Sequence, residues 1–232
     1  MTEWQLRRDI VAIGRKIYQK DFVAATDGNI SARLFGNRML ITPGGSCLGE
    51  LTPNQLVLVD FTGRTLSGTA EPSSETPMHI MAYSQRSDIK SVIHAHPPVT
   101  TGFTVAGESL AQCVIPEIVV AFGTIPTAQY ATASSDEGAQ VIKGLIGNHD
   151  AIILDRHGTL TVGVDLVDAF RKLEKVEHCA RVTLTARQLG HVKTLSVEEI
   201  KRLEEVRKKL GYADQVSLCE RCGVCIVPER SQ

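Results

Sequence analysis

Apolar residues recur at Leu6, Ile10, Ile13 and Ile17, three to four positions apart, with charged residues between them. That spacing puts one apolar stripe on an α-helix. Thr2, followed three residues later by Gln5, has the form of a capping box at its start. The period then changes. Short runs rich in β-branched residues, "MLITP" (39–43), "LVLVDF" (56–61), "SVIHAH" (91–96) and "AIILDRHGTLTVG" (151–163), are bounded by turn-forming residues and read as strands. The segment "ETPMHIMAYSQR" (75–86) reads as a helix with Pro77 in its first turn. Helical spacing returns over about 165–190. It returns again from Ser196, where Ser196 and Glu199 form a second capping box, to about Leu210, with Gly211 as the stop. Helices and strands mix without regular alternation. The pattern predicts one α/β domain with a mixed or antiparallel sheet layered between helices.

The chain has 232 residues, enough for one domain or at most two, and 43% of them are hydrophobic, so a sizeable core can be buried. The formal net charge of −1 gives no global support for nucleic-acid or membrane binding. No apolar run is long enough to span a bilayer. The first residues, "MTEWQLRRDIVAIGRKIY", carry charges through the apolar pattern and do not read as a signal peptide. A soluble, cytoplasmic protein is expected. Its six cysteines do not resemble a secreted disulfide framework and would stay reduced there.

Candidate chemistry gathers in "SVIHAHPPV" (91–99). Side chains alternate along a strand, so His94 and His96 share a face. Two imidazoles at a strand's end make half of a metal site, and Pro97 and Pro98 stop the pairing there, beside a loop. His157 stands in "LDRHGTLTVG" between two strand-like runs, and Glu75 opens the helix that precedes the histidine pair. Three histidines and one carboxylate suit Zn²⁺ or a similar divalent ion such as Mn²⁺ or Co²⁺. A pair of surface histidines and a capping glutamate is the bland alternative.

The neighbouring motifs favour anions. "TDGNIS" (26–31) places Gly28 and Asn29 in a turn with backbone N–H groups to offer. "TPGGS" (42–46) supplies Gly44 and Gly45 in a second turn. "PSSE" (72–75) puts Ser73 and Ser74 at a helix N-terminus, where phosphate is favoured. Each alone is commonly structural. Together they suggest a phosphorylated small molecule beside a metal.

"GNIS", "ITPGG", "PSSE", "HAHP" and "RHGTLTVG" occur in the order seen in the class II aldolase/adducin family. Over about residues 5–210 the chain resembles that family, most of all its fuculose-phosphate aldolases. The resemblance implies a three-layer α/β/α fold with a mixed, largely antiparallel sheet. It implies a homotetramer with active sites at subunit interfaces, the domain ending near residue 212 and a tail following over 213–232. It implies that His94, His96 and His157 hold zinc, with Glu75 as both resting ligand and catalytic acid/base. It further implies that Gly28, Asn29, Gly44, Gly45, Ser73 and Ser74 cradle the substrate phosphate. The activity implied is reversible cleavage of a short ketose phosphate to dihydroxyacetone phosphate and an aldehyde. The negative charge of the enediolate would be stabilised by the metal.

The chain departs from those aldolases in three places. Gly44–Gly45 replaces their Thr-Gly. No tyrosine occurs in "VIPEIVVAFG" (114–123), where Val119 or Val120 takes its place. Glu117 is the nearest proton carrier, either a second proton-transfer group or a solvated carboxylate before a strand. Tyr212 is the one candidate for a tail tyrosine that reaches a neighbouring subunit's site, or else a helix-end residue. Cys219, Cys222 and Cys225 could form a second metal site short of one ligand, or a redox-active or flexible tail. Pentulose-5-phosphate 4-epimerisation and sugar-phosphate dehydration or decarboxylation stay open as alternatives. A non-catalytic adducin-like module is disfavoured by the intact histidines.

Overall fold

The computed structural model describes residues 2–212. The cysteine tail and the boundary drawn for it lie outside the described residues. Helix α1 (Glu3–Gln19) has the anticipated capping box, Thr2 Oγ1 accepting from Gln5 N and Gln5 Oε1 from Thr2 N. Strands β1 (Asn29–Leu34), β2 (Arg38–Ile41), β3 (Val57–Asp60) and β4 (Thr65–Ser67) follow, then α2 (Thr76–Gln85) and β5 (Ser91–Ala95). Next come α3 (Pro98–Val105), α4 (Pro116–Phe122), β6 (Thr127–Ala128) and α5 (Glu137–Lys143). Strands β7 (Ala151–Leu154) and β8 (Gly158–Gly163) and helices α6 (Leu166–Leu189) and α7 (Val197–Lys209) complete the order. Gly211, at φ 79°, stops the last helix as expected.

The sheet runs β4-β3-β2-β1-β5-β8-β7-β6. Every pairing is antiparallel except β6 with β7. The predicted mixed, largely antiparallel sheet in an α/β/α sandwich is what the chain forms. Alternation along β5 shows how the two faces divide. Ile93 and Ala95 pack with α1 and α6, in a cluster that includes Ile10, Ile17, Ile30 and Leu173. Val92 faces α2 and α5, with Met78, Tyr83, Ile142 and Leu160. Ile30, Ile93 and Leu173 are fully buried, and each such side chain contributes roughly 1.5–3 kcal/mol. His94 keeps the parity of Val92, so it emerges on the α2 face.

Three local expectations change. The strand expected over 91–96 ends at Ala95, leaving His96 just beyond it. The run 151–163, read as one strand-like stretch, is a hairpin, with His157 between its two strands as anticipated. The residues after Glu117 form α4, not a strand. Pro116 starts that helix with a preset φ and no wasted donor, and Gly123, at φ 72°, closes it.

Candidate active site

Three elements bring the candidate metal ligands together. Central strand β5 carries His94, fully buried, and His96 immediately after. The β7–β8 turn carries His157. Arg156 is left-handed there, at φ 53°, and its N–H is held by Thr104 Oγ1 at 2.9 Å. Helix α2 brings Glu75 at its N-cap, yet the side chain makes no capping hydrogen bond. It turns instead toward the histidines.

His94 Nε2 lies 2.9 Å from His96 Nε2 and 3.2 Å from Glu75 Oε2, and His157 Nε2 lies 3.3 Å from Glu75 Oε1. The ligand atoms of the three histidines all fall within 4.8 Å of one another. Nitrogen ligands about 2.0–2.1 Å from a tetrahedral zinc stand about 3.3 Å apart, so these spacings suit one ion. The hydrogen bonds support the same reading. His94 Nδ1 lies 3.2 Å from the carbonyl of Thr159 and donates to it. Its Nε2 therefore presents a lone pair to the cluster, the usual arrangement for a metal-ligating imidazole. His96 Nδ1 faces Asp27 Oδ2 at 3.5 Å. Burial, then repulsion from His96 and His157, pushes the His94 pKa well below its ordinary value. Burial and His157 lower that of His96, against the opposing pull of Asp27. Both shifts favour the neutral rings at His94 and His96, whose lone pairs are then free for a divalent cation.

The close packing depends on Gly158. A Cβ there would run into the Ala95 carbonyl oxygen and would stand 2.8 Å from His96 Cδ2. Gly28 is constrained similarly. Its φ is 76°, and a Cβ would lie 2.7 Å from Val23 Cγ1 and 2.9 Å from the His94 carbonyl oxygen.

The three anion-favouring turns are tied to one another. Thr42 N donates to the Ile30 carbonyl at 3.0 Å, and Ile30 N donates to Thr42 Oγ1 at 3.1 Å. A bridge between Pro43 and Pro72 joins the glycine turn to the serine turn, with Ser73 N donating to the Thr42 carbonyl at 3.2 Å. The Gly44 N–H is occupied by the Glu71 carbonyl at 3.1 Å, and of the two exposed glycines only Gly45 has an open surround. Ser73 is buried and its Oγ accepts from Glu75 N at 3.3 Å, while Ser74 Oγ donates to Ser134 Oγ at 2.9 Å. A cleft beside Glu75 and His157 is walled by Met78, Gln129, Thr132, Ser134 and Asp155.

Two expected participants are not brought to this cleft within the protomer. Glu117 is exposed in the first turn of α4. Tyr212 packs on the Arg207 guanidinium, 5.0 Å from its ring centroid, and lines a different cleft with Arg86, Asp88 and Asp150. Four neighbours of the histidine cluster and Glu75 were not anticipated. Asp27 contacts His96. Ser31, His79 and Tyr83 form a buried polar line that reaches Asn29. The available signal was Glu75, His79 and Tyr83 at intervals of four along one helix, with Asn29 and Ser31 two apart on one strand.

Residues 8–184 match the family model described as Class II Aldolase and Adducin N-terminal domain. The chain is 32% identical over 178 residues to an L-fuculose phosphate aldolase of Methanocaldococcus jannaschii, covering 77% of this chain and 95% of that one. It is 29% identical over 208 residues to a 3-oxo-tetronate 4-phosphate decarboxylase of Haemophilus influenzae, covering 88% and 98%. A solved L-fuculose 1-phosphate aldolase superimposes with TM-score 0.81 at 31% identity, covering 88% of this chain and 96% of that one. With this fold and a cluster of histidines able to hold a metal, the chain belongs to the class II aldolase family.

Proposed function

We propose that the protein is a zinc-dependent aldolase. It reversibly cleaves a short ketose phosphate, of the fuculose-1-phosphate kind, to dihydroxyacetone phosphate and an aldehyde. The observation that carries this reading is the convergence of Glu75 with His94, His96 and His157 beside three interlinked glycine and serine turns. Bound at the histidines, zinc would supply a Lewis acid for the negative charge that develops on the donor's oxygens. The chain's own groups do the rest. Gly28, Asn29, Gly45, Ser73 and Ser74, on the turn shared with Gly44, hold the phosphate and thereby orient the donor carbon. Glu75 moves the proton at that carbon, with Oε2 steadied by Asn29 Nδ2 at 2.7 Å. The working form in this reading is a cytoplasmic homotetramer. Glu117 and Tyr212, which lie outside the protomer's cleft, would then act from subunit boundaries.

A second reading is decarboxylation of a 3-oxo acid phosphate. The favouring observation is that Val119, 1% exposed, and Val120 stand in the segment where a proton-transferring tyrosine is expected. Loss of carbon dioxide from a carboxylate needs no base to take a hydroxyl proton, whereas aldol cleavage, which turns a hydroxyl into the aldehyde carbonyl, does. The H. influenzae relative carries that activity in its name.

The test incubates zinc-loaded protein with dihydroxyacetone phosphate and a panel of aldehydes, and separately with 3-oxo acid phosphates. Glu75→Gln is run in parallel. Carbon–carbon bond formation that falls by roughly 10²–10⁴-fold in the variant supports the aldolase. Carbon dioxide release without condensation moves the assignment to the decarboxylase.

A further inference from the structure

Behind Glu75 runs a line of buried hydrogen bonds built from two matched repeats. Glu75, His79 and Tyr83 are spaced by four along α2, and so rise on one helix face. Asn29 and Ser31 are spaced by two along β1, and so share one sheet face. A four-residue step in a helix advances about 6 Å, and a two-residue step in a strand advances about 6.6 Å. The two ladders therefore stay in step. Tyr83 Oη lies 2.9 Å from Ser31 Oγ, Ser31 Oγ lies 2.6 Å from His79 Nδ1, and His79 Nε2 lies 2.5 Å from Asn29 Oδ1. Asn29 Nδ2 lies 2.7 Å from Glu75 Oε2. Asn29, Ser31, His79 and Tyr83 are all buried, His79 and Ser31 completely.

The carboxylate fixes the polarity of the whole line. An ionised Glu75 only accepts, so Asn29 must turn its NH₂ toward it. Oδ1 then faces His79 and needs a donor, which makes the imidazole the Nε2–H tautomer. Nδ1 is left as an acceptor, so the Ser31 hydroxyl donates to it and in turn accepts from Tyr83. Every proton points toward Glu75. Reversing Asn29 would set an amide oxygen against a carboxylate oxygen. It would also leave His79 facing a donor.

We propose that His79 is a positioning residue. Backed by Ser31 and Tyr83, it locks the Asn29 amide with N–H toward Glu75, and so fixes one carboxylate oxygen while the other faces His157. This rests on the role assigned to Glu75 under the aldolase reading. A set of buried polar groups that merely satisfy one another would not need a single direction, nor end on the carboxylate beside the histidine cluster.

The experiment begins with ¹⁵N-histidine-labelled, metal-free protein. Two-bond nitrogen–proton correlations, assigned with His79→Gln, should show His79 as a neutral Nε2–H ring. An Nδ1–H ring or an imidazolium overturns the proposal. The second arm compares His79→Leu with His79→Gln for metal content, melting temperature and deuterium exchange at the donor carbon of dihydroxyacetone phosphate. Loss of an outer hydrogen-bond partner typically costs about 10–100-fold in activity. That loss is expected in kcat for the leucine variant, with little change in KM and one metal per chain. The glutamine variant, whose amide can donate to Asn29 Oδ1, should recover most of it. Equal losses in both variants, or none in either, overturn the proposal. Should the leucine variant not fold, Ser31→Ala takes its place. It should yield a mixed tautomer population and a smaller loss, and an unmixed spectrum at full activity overturns the idea. Wild-type protein that takes up metal but exchanges no proton refutes the aldolase reading instead, and the tautomer spectrum then decides the positioning claim by itself.

Discussion

Asn29 and His94 are register partners on neighbouring antiparallel strands, and both reach the same oxygen of Glu75, at 2.7 Å and 3.2 Å. One rung of the sheet therefore carries both the amide that steadies the carboxylate and the buried imidazole that faces it. A one-residue slip between β1 and β5 would turn one of the two groups to the opposite face.

The first prediction is that the purified protein holds one divalent ion per chain at Glu75, His94, His96 and His157. His94→Ala removes the buried centre of that set. Elemental analysis before and after the substitution checks it. Full retention of metal by the variant would mean that other residues hold the ion.

Gly158→Ala should damage the site without touching a ligand. The added methyl meets the Ala95 carbonyl and the His96 ring, so His96 must move away from His94 and His157. Metal affinity should fall at least 10-fold, and the melting temperature by several degrees. Isothermal titration with zinc and a thermal melt give both numbers. Wild-type affinity in this variant would show that the turn yields freely.

Glu177 is predicted to anchor the start of α3. It is 1% exposed and accepts from Val99 N, Thr100 N and Thr100 Oγ1 at 3.3, 2.9 and 2.8 Å, with Arg181 Nε at 3.0 Å. Glu177→Leu strands those donors and should cost on the order of 3 kcal/mol. Urea unfolding measures it, and a midpoint within error of wild type would contradict the assignment.

The fourth prediction is a pH dependence. Burial lowers the His79 pKa from 6.5 to about 3. The unfolded chain takes up this proton near 6.5 and the folded chain does not, so between the two values the unfolded state binds more protons. Stability from this group is intact above about pH 6.5. It declines as pH falls, by up to about 1.4 kcal/mol per unit. His79→Gln removes the term, so metal-free variant and wild type should differ in the slope of stability against pH by up to one proton. Parallel slopes would place the neutral histidine elsewhere.

Much of this could be read from the residues alone. The two capping boxes, the Gly211 stop and the shared face of His94 and His96 follow from local chemistry, and the structure has them. What escaped depends on partners far along the chain. Asn29 begins a strand rather than closing a turn, because β5 offers it a rung that no local pattern reveals. Ile118 to Phe122 are β-branched or apolar, yet Pro116, Gly123 and packing against α6 and α7 make them helical. Nothing in the local sequence marks His79, which is fully buried on α2. Its meaning appears only when β1 is laid beside α2.

The place of β5 between β1 and β8 also bears on how the chain reaches its native state. No pair of neighbouring strands gathers all the ligands. β1 with β5 lacks His157, and β5 with β8 lacks the Glu75 that α2 delivers. Such long-range pairings close slowly, because the intervening loops must be ordered first. The complete ligand set is thus expected among the last features to assemble, and uptake of an ion during refolding would mark completion rather than nucleation. An ion that binds only the finished sheet would stabilise all the strands as one cooperative unit, by about 2.7 kcal/mol at a hundredfold excess over Kd.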